Sequence, residues 1–366
     1  MREYYVSSLG EYFAAIEEIA ERDSEKRETE VPLLWFRGLT ENYHTLLPTL
    51  YRKETLVSGE MEYNLFRQKE DTRYQHFKSR TYHLIKTNPD FESEWLEIYQ
   101  HHEGKTRLMD WSESAKTALS FAVEAFLDSR DTDDLKKKRE TITPTVTVIN
   151  PTALNRIAYR YFIGHEELIC NALKELMGEV ERTNISHYVC DCMRKHEDSL
   201  FAPRKGDTEM AGIVSLCVLE DMSNISWEQL KRRIKEGEIN PYYYLILRYY
   251  TDALPVRIEY ENQEILPPLA ILHPYHSERI RKQRGVFTIF PNYVFSKRIQ
   301  ELYDKRNIDV RVMEHQKSVN PLLNRIYIMD AQRVAKELLY AGERRTELYP
   351  GLNDYANLLE TTKFFV

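Results

Sequence analysis

The residue with the clearest chemical potential is Arg37, which follows a short apolar run over residues 31–36. The run predicts a strand that ends at Arg37 and Gly38. A guanidinium has five fixed donors, and when partly buried it must bind carboxylates, carbonyls or a ligand phosphate. We expect Arg37 to face a ligand, with a structural role as the alternative.

A second charged pair flanks two apolar residues. Arg107 and Asp110 enclose Leu108 and Met109, which favours a turn that buries the apolar pair while the charged pair joins a polar network. A structural salt bridge is the favoured interpretation, and contact with a ligand is the alternative.

Two adjacent histidines, His101 and His102, precede this segment. An imidazole there could act as an acid, a base or a hydrogen-bond donor near neutral pH. Only one of two neighbouring helical residues can face a pocket, and His102 is the candidate because it lies beside a glycine-containing turn. A structural histidine is an equal alternative. Trp111 and Phe121 fit a core better than a base-stacking surface.

The elements that must position these residues are mixed. Helices are predicted over residues 7–21, 59–80, 91–102, 114–126 and 331–341, and strands over 31–36, 145–149, 255–260, 269–272, 286–290, 308–313 and 325–328. Scattered strands with helices packed on them predict an α+β fold rather than regular βαβ winding.

The segment 155–250 is predicted to be a mainly helical insertion. Its apolar residues Ile169, Leu173, Leu176 and Val180 recur at three- and four-residue intervals and predict one buried stripe. No repeat or flexible linker divides the chain, so we expect one domain over residues 1–366. Its core would comprise about 31–154 and 251–360.

All four cysteines, Cys170, Cys190, Cys192 and Cys217, lie in or beside this segment. A chain of this size has no need of disulfides, which favours reduced thiols. Cys190 and Cys192 cluster with His187 and His196, but the spacing fits none of the usual zinc patterns. We expect no metal, and a site at this cluster is the open alternative.

The charge balance limits the partners. The chain has 51 basic and 58 acidic residues, a net charge of −7, so nucleic acid is not an expected partner unless a local basic patch exists. No apolar run approaches the length that crosses a bilayer, and the first residues are too polar for a secretory signal. We expect a cytoplasmic protein without a membrane partner.

The most distinctive run of the chain lies between the predicted strands. It reads Gln100-His101-His102-Glu103-Gly104-Lys105-Thr106-Arg107-Leu108-Met109-Asp110-Trp111-Ser112 and continues to Ala118-Leu119-Ser120-Phe121-Ala122. With Phe36-Arg37-Gly38, this run resembles the FRG domain family; Met109 and Ser112 are mild departures. Two later segments add to the resemblance, Arg279-Ile280-Arg281-Lys282-Gln283-Arg284-Gly285-Val286-Phe287-Thr288 and Glu347-Leu348-Tyr349-Pro350-Gly351-Leu352.

The order of these motifs also resembles, in pattern only, the ADP-ribosyltransferases. That resemblance implies a split antiparallel or mixed sheet with surrounding helices, and a polar pocket that binds a nucleotide or a dinucleotide such as NAD. NAD would be a substrate from which ADP-ribose is transferred or hydrolysed, and no resident cofactor is implied. The candidate catalytic residues are Arg37, His102 and Gln283, and the candidate ligand-binding residues are Gly38, Thr106, Arg107, Asp110 and Ser112.

The third motif departs from the enzyme pattern, because Gln283 stands where those enzymes place a glutamate. An amide cannot supply the negative charge that stabilises an oxocarbenium-like sugar, and Glu278 or Glu264 would have to replace it from another direction. The alternative hypothesis is a non-catalytic sensor or bacterial defence component that keeps the pocket and contacts a protein partner through its helical insertion. A nuclease is disfavoured, since no carboxylate cluster suits paired metals.

Overall fold

The computed structural model describes residues 1–24, 33–40, 45–52, 63–84, 92–102, 104–127, 142–177, 182–201, 212–215, 225–238, 240–252, 254–260, 264–272, 278–306, 308–343 and 348. Its α-helices are α1 Leu9–Ser24, α2 Tyr63–Thr81, α3 Glu92–His101, α4 Ala115–Ala122, α5 Glu124–Leu127, α6 Pro151–Gly164, α7 Glu166–Met177, α8 Arg182–Phe201, α9 Trp227–Lys235, α10 Asn240–Thr251, α11 Glu278–Gln283, α12 Lys297–Arg306 and α13 Ala331–Tyr340. Its strands are β1 Arg2–Val6, β2 Trp35–Leu39, β3 Leu108–Ser112, β4 Thr145–Ile149, β5 Val214–Ser215, β6 Pro255–Ile258, β7 Leu269–Leu272, β8 Gly285–Ile289, β9 Asn292–Phe295 and β10 Asn324–Ile328.

Eight strands form one mixed sheet in the order β1-β10-β4-β2-β3-β8-β7-β5. The outer pairs β1–β10 and β5–β7 are parallel, and the pairs between them are antiparallel. Strands β6 and β9 form a separate parallel pair. Helices cover this mixed sheet, which confirms the predicted α+β class.

The sheet opens between its two central strands. β2 pairs with β4 along its whole length, and β3 does the same with β8. The register between β2 and β3 consists of the single pair Phe36 and Ser112. The two halves of the sheet therefore separate beyond this pair, and the opening lies beside Arg37 and Asp110.

The two faces of the β2 half pack against different layers. Phe36, Val146, Val148 and Ile326 lie in one buried cluster with residues of α1, α4 and α13. Trp35 and Leu39, which alternate with Phe36 along the strand, belong to a larger cluster that includes the helices α6–α10. This alternation places successive β2 side chains on opposite faces.

Gly38 lets β2 lie directly on α4. A Cβ atom at Gly38 would lie 1.8 Å from the backbone oxygen of Ala118 and 2.8 Å from the backbone nitrogen of Ala122. Ser114 caps this helix by accepting a hydrogen bond from the Thr117 amide. The close approach fixes the helix against the strand that carries Arg37.

The described part of residues 155–250 is mainly helical and contains the edge strand β5. Helix α6 begins at Pro151, capped by Asn150, so the predicted boundary at residue 155 falls inside a helix. The Asn155 side chain, in turn, bonds the backbone of Gly212 and Ala270. These helices and the sheet share one buried cluster. The division into a core and an insertion stays a prediction.

The predicted stripe of the helical segment is described in part. Ile169 and Leu173 are both fully buried. The side chain of Leu176, and Val180 as a whole, lie outside the described residues.

Two local predictions were wrong. The turn expected around Arg107 and Asp110 is instead β3, because the Leu108–Ser112 segment pairs with β8 over five residues. The strand expected over residues 308–313 forms turns and then a short 3-10 helix. Asp309 accepts hydrogen bonds from the Arg311 amide and guanidinium, and such local bonds compete with strand pairing.

Candidate active site

A pocket of about 380 Å³ lies at the opening between β2 and β3. The strands β2, β3 and β8 contribute to its wall, as do the helices α3, α4, α5 and α11. Its lining residues are Phe36, Arg37, Gly38, Leu39, Thr40, Gln100, Asp110, Trp111, Ser112, Ala118, Phe121, Glu124, Arg279, Ile280, Gln283, Gly285 and Phe287. Five of the eight residues predicted for the site are thus brought together: Arg37, Gly38, Asp110, Ser112 and Gln283.

Arg37 is held in the pocket by Asp110. Its Nη1 donates to the backbone oxygen of Asp110 and lies 3.8 Å from the Asp110 carboxylate, with 19% of the arginine side chain and 57% of the aspartate side chain exposed. Burial lowers the pKa of Arg37, and the charge of Asp110 opposes that shift. The Nε atom is buried and has no hydrogen-bond partner among the described residues.

Thr106 and Gln100 form a chain of hydrogen bonds that reaches Asp110. The Thr106 hydroxyl donates to the Gln100 side-chain oxygen, and the Gln100 amide nitrogen lies 3.3 Å and 3.5 Å from the two Asp110 carboxylate oxygens. Thr106 is fully buried and is absent from the lining. Its contact with the site therefore runs through Gln100.

Ser112 and Gln283 line the pocket and also form hydrogen bonds that connect the segments around it. The Ser112 hydroxyl donates to the Gln283 backbone oxygen at 2.6 Å and accepts from the Ser114 amide at 3.0 Å. The Gln283 amide nitrogen donates to the Leu348 backbone oxygen at 2.7 Å. The Ser112 side chain thus links β3 to the end of α11, and the Gln283 side chain links α11 to the chain at Leu348.

Arg107 lies outside the pocket lining and is buried. Its Nη1 donates to the backbone oxygens of Tyr250 and Phe290, both at 2.9 Å. Arg107 therefore joins the end of α10 to the strand region through backbone oxygens.

His102 is exposed and lies outside the pocket lining. Its backbone amide donates to Ile98, and its ring lies 6.3 Å from the ring of Phe77. His102 thus packs at the end of α3, away from the residues that surround Arg37. The His101 side chain lies outside the described residues.

The cysteine and histidine cluster shows ordinary packing contacts. His187 contacts Glu166 and Asp191, both at 3.5 Å. Burial raises the pKa of the Cys190 thiol to about 11. Within the described ranges, no group of three histidine, cysteine, aspartate or glutamate residues could hold a metal ion; Cys217 lies outside those ranges.

The pocket includes four chemically relevant residues that the sequence did not single out for the site: Gln100, Glu124, Arg279 and Phe287. Three of them belong to the quoted family-like runs, and this membership was the sequence signal that could have identified them as site residues. Glu124 had a weaker one, since it follows the Ala118–Ala122 run by two positions.

The pocket combines three kinds of chemistry. Arg37 and Arg279 supply cations that match phosphate oxygens, and Asp110 and Glu124 supply carboxylates. Aromatic side chains form part of the wall, with the Trp111 indole fixed by a hydrogen bond to Thr288 at 3.1 Å. Such a set can bind a ligand that carries anionic, hydroxyl and planar apolar groups together.

Comparison with known proteins gives one similarity. Residues 33–131 match the family model of the FRG domain, and this span holds β2, β3, α4 and the Arg37–Asp110 pair. No curated protein and no solved structure matches the chain. Within the described part of the chain, no helix is long and apolar enough to cross a membrane.

Proposed function

We propose that this FRG-domain chain binds a nucleotide or a dinucleotide such as NAD in the pocket at its central strands, and that it transfers or hydrolyses ADP-ribose there. The observation that carries the proposal is Arg37. Its guanidinium is anchored by Asp110 at one end, while its buried Nε has no hydrogen-bond partner among the described residues. A buried donor without a partner costs about 1–3 kcal/mol, so the guanidinium is held at a cost, and the 19% of the side chain that stays exposed is the part that a ligand oxygen can reach.

The phosphate part of the ligand is assigned to Arg37 and Arg279. They are the two cations among the described residues that line the pocket, and a planar fork binds phosphate oxygens in pairs. The pocket volume of about 380 Å³ lies in the range of small-molecule sites.

The base and sugar parts are assigned to the remaining wall. Phe121 and Phe287 offer aromatic surface on which a planar ring can stack. Asp110, which is more than half exposed, can accept hydrogen bonds from ribose hydroxyl groups.

Glu124 is our candidate for the catalytic carboxylate. When the bond between ribose C1′ and the nicotinamide nitrogen breaks, its electron pair leaves with nicotinamide and positive charge develops on the sugar. An oxygen of water or of an acceptor then bonds to C1′ and releases its proton to solvent. A nearby carboxylate stabilises that charge. Glu124 lines the pocket and supplies the charge that Gln283 lacks.

A non-catalytic sensor or defence component is the second candidate. It is supported by the Gln283 amide nitrogen, which bonds the Leu348 backbone oxygen rather than being held open for a substrate. Under this hypothesis the pocket binds its ligand without turnover, and the helical segment contacts a protein partner.

The binding test is calorimetric titration of the wild type, Arg37→Ala and Arg37→Lys with ADP-ribose and NAD. We expect Arg37→Ala to weaken binding roughly 10- to 100-fold, the effect of losing hydrogen bonds to a charged group. Arg37→Lys should fall between the two, because it keeps the charge and loses the fork. Arg333→Ala is the matched control, since Arg333 is an exposed arginine paired with Glu337 on α13.

Circular dichroism of each variant separates binding from folding. The absence of heat from both ligands at millimolar concentration with the wild type would refute the nucleotide proposal. Unfolding of Arg37→Ala would instead assign the arginine to structure.

The turnover test compares wild type, Glu124→Gln and Glu278→Gln for release of nicotinamide from NAD. We expect Glu124→Gln to lower kcat by about 100-fold or more, the typical effect of removing one stabilising group, while ADP-ribose affinity changes little. Glu278→Gln, at an exposed position of α11, should keep wild-type turnover. Tight NAD binding by a wild type that releases no nicotinamide would favour the sensor hypothesis.

A further inference from the structure

We infer that the basic surface formed by α11 and Arg284 binds single-stranded nucleic acid beside the pocket. The surface, here called the α11 surface, comprises Arg279, Arg281, Lys282 and Arg284. It lies largely outside the pocket and so adds a second ligand to the proposed function.

The α11 surface is a local exception in an acidic chain. The chain carries a net charge of −7, yet residues 278–284 hold four cations and one carboxylate, that of Glu278. Arg279 lines the pocket, while Arg281, Lys282 and Arg284 are exposed. The positive charge therefore extends from the pocket wall onto the protein surface.

The three exposed cations of the α11 surface have few carboxylate partners among the described residues. Lys282 lies 3.8 Å from Glu278, and neither Arg281 nor Arg284 has an ion-pair partner among the described residues. Helix α9 is the comparison within the same chain.

On α9, three of the four basic side chains have a carboxylate within 4.0 Å, Arg232 pairing with Glu236 at that limit. Lys231 pairs with Glu228 at 2.5 Å, and Arg233 with Glu238 at 3.5 Å. The exposed arginines of the α11 surface, Arg281 and Arg284, have no such partner among the described residues.

The backbone at Arg284 supplies an independent argument. Its φ of 47° is the only positive value at a described residue other than glycine, and it costs about 1–2 kcal/mol for a residue with a Cβ. The strained peptide is fixed by hydrogen bonds from the Arg284 amide to Arg281 and from the Glu113 amide to Arg284. Glycine would adopt this conformation without strain, so a role for the exposed guanidinium accounts for the arginine.

The chemistry of the α11 surface favours a phosphodiester backbone. Three of its four cations are arginines, whose planar forks match phosphate oxygens. A single strand is favoured over a duplex because an unstacked base can enter the adjoining aromatic pocket, and duplex bases stay stacked. This last step rests on the proposed function of the pocket.

The test is fluorescence anisotropy with a labelled single-stranded RNA of about 12 nucleotides, within the usual site sizes for such proteins, between about 50 and 200 mM salt. We expect Arg281→Glu/Arg284→Glu to weaken RNA binding about tenfold or more at the lower salt concentration. The slope of log K against log salt should flatten by about 1.4, or 0.7 for each lost phosphate contact.

The matched control is Arg232→Glu/Lys235→Glu on α9, which changes the net charge equally. It should alter RNA affinity by less than about twofold if the site is local, since distant exposed charges are screened. The neutral variant Arg281→Gln/Arg284→Gln covers the case in which charge reversal disturbs folding.

The outcomes separate the two proposals. Loss of RNA binding with unchanged ADP-ribose affinity in the α11 variant supports the inference. Three results would overturn it. The α9 control could lose RNA affinity equally, a duplex or a polyglutamate peptide could bind as tightly as the single strand, or the wild type could fail to bind RNA. None of these results depends on whether Arg37→Ala loses ADP-ribose.

Discussion

Arg37 shows how two neighbours define the role of one residue. Asp110 contributes a backbone oxygen and a carboxylate, and Gln100 contacts that carboxylate in turn. These contacts restrict the guanidinium, so that under the proposed function it is already in place before a ligand binds. A pre-positioned arginine binds with a smaller loss of side-chain entropy than a mobile one.

Cys190 allows a prediction from its pKa, which burial and then the Glu166 charge raise to about 11. An unfolded cysteine has a pKa of about 8.5. The folded thiol therefore stays protonated where the unfolded one ionises, and stability falls as pH rises between these two values. We expect the wild type to lose about 1–2 kcal/mol relative to Cys190→Ala between about pH 8 and pH 10.

Urea unfolding of both proteins at each pH measures this difference. The comparison with Cys190→Ala cancels the many tyrosines that titrate in the same range. Parallel pH profiles for the two proteins would show that the folded thiol ionises near its ordinary pKa.

At the scale of elements, the Phe-Arg-Gly tripeptide has a geometric explanation. Phe36 and Gly38 lie on the β2 face that packs against α4, and Arg37 alternates to the other side. Phe36 is buried in the cluster on that face, and Gly38 lies against the α4 backbone. Phe36 thus anchors the strand in the core, Arg37 lines the pocket, and Gly38 allows α4 to lie against the strand.

Gly38→Ala tests this packing. The added Cβ would lie 1.8 Å from a backbone oxygen of α4, so the strand and the helix must separate. We expect a loss of about 3 kcal/mol or more in the free energy of unfolding, at the upper end for overpacking, measured by urea denaturation.

Gly10→Ala is the matched control. Gly10 lies in α1 with no atom within 4 Å of an added Cβ, and alanine is the better helix former by about 1 kcal/mol. A stabilised Gly10→Ala beside a destabilised Gly38→Ala supports the close approach. Equal stability of Gly38→Ala and wild type would contradict it.

At the scale of the molecule, Arg107 joins the helical region to the sheet. Its Nη1 bonds the last turn of α10 at Tyr250 and the chain after β8 at Phe290. These contacts help to explain why the helices α6–α10 share a buried cluster with the sheet.

Arg107→Met should lower the free energy of unfolding by about 2–4 kcal/mol, because two buried carbonyls lose a charged donor. ADP-ribose affinity should change little in the folded variant, since Arg107 lies outside the pocket. Thermal and urea unfolding measure the first effect and calorimetry the second. Arg298→Met, at an exposed site on α12, is the control and should stay within about 0.5 kcal/mol.

The sequence was informative where local pattern decides structure. The β-branched run of β4 and the apolar spacing of α1 and α13 predicted those elements to within a few residues, because side-chain periodicity reports which face is buried. Five of the eight residues predicted from the family-like runs line one pocket. Each run combines these polar residues with apolar residues that hold its strand or helix in the core.

The tertiary structure decided what depends on distant partners. Leu108–Ser112 is a strand because β8 pairs with it. The local sequence of this segment does not indicate which strand is its neighbour. Glu124 lines the pocket only because α5 follows a helix that Gly38 admits onto β2. Arg107 and His102 lie outside the pocket lining for the same reason. The type and spacing of a residue indicate what it can bind, whereas the packing of remote elements determines which groups lie near it.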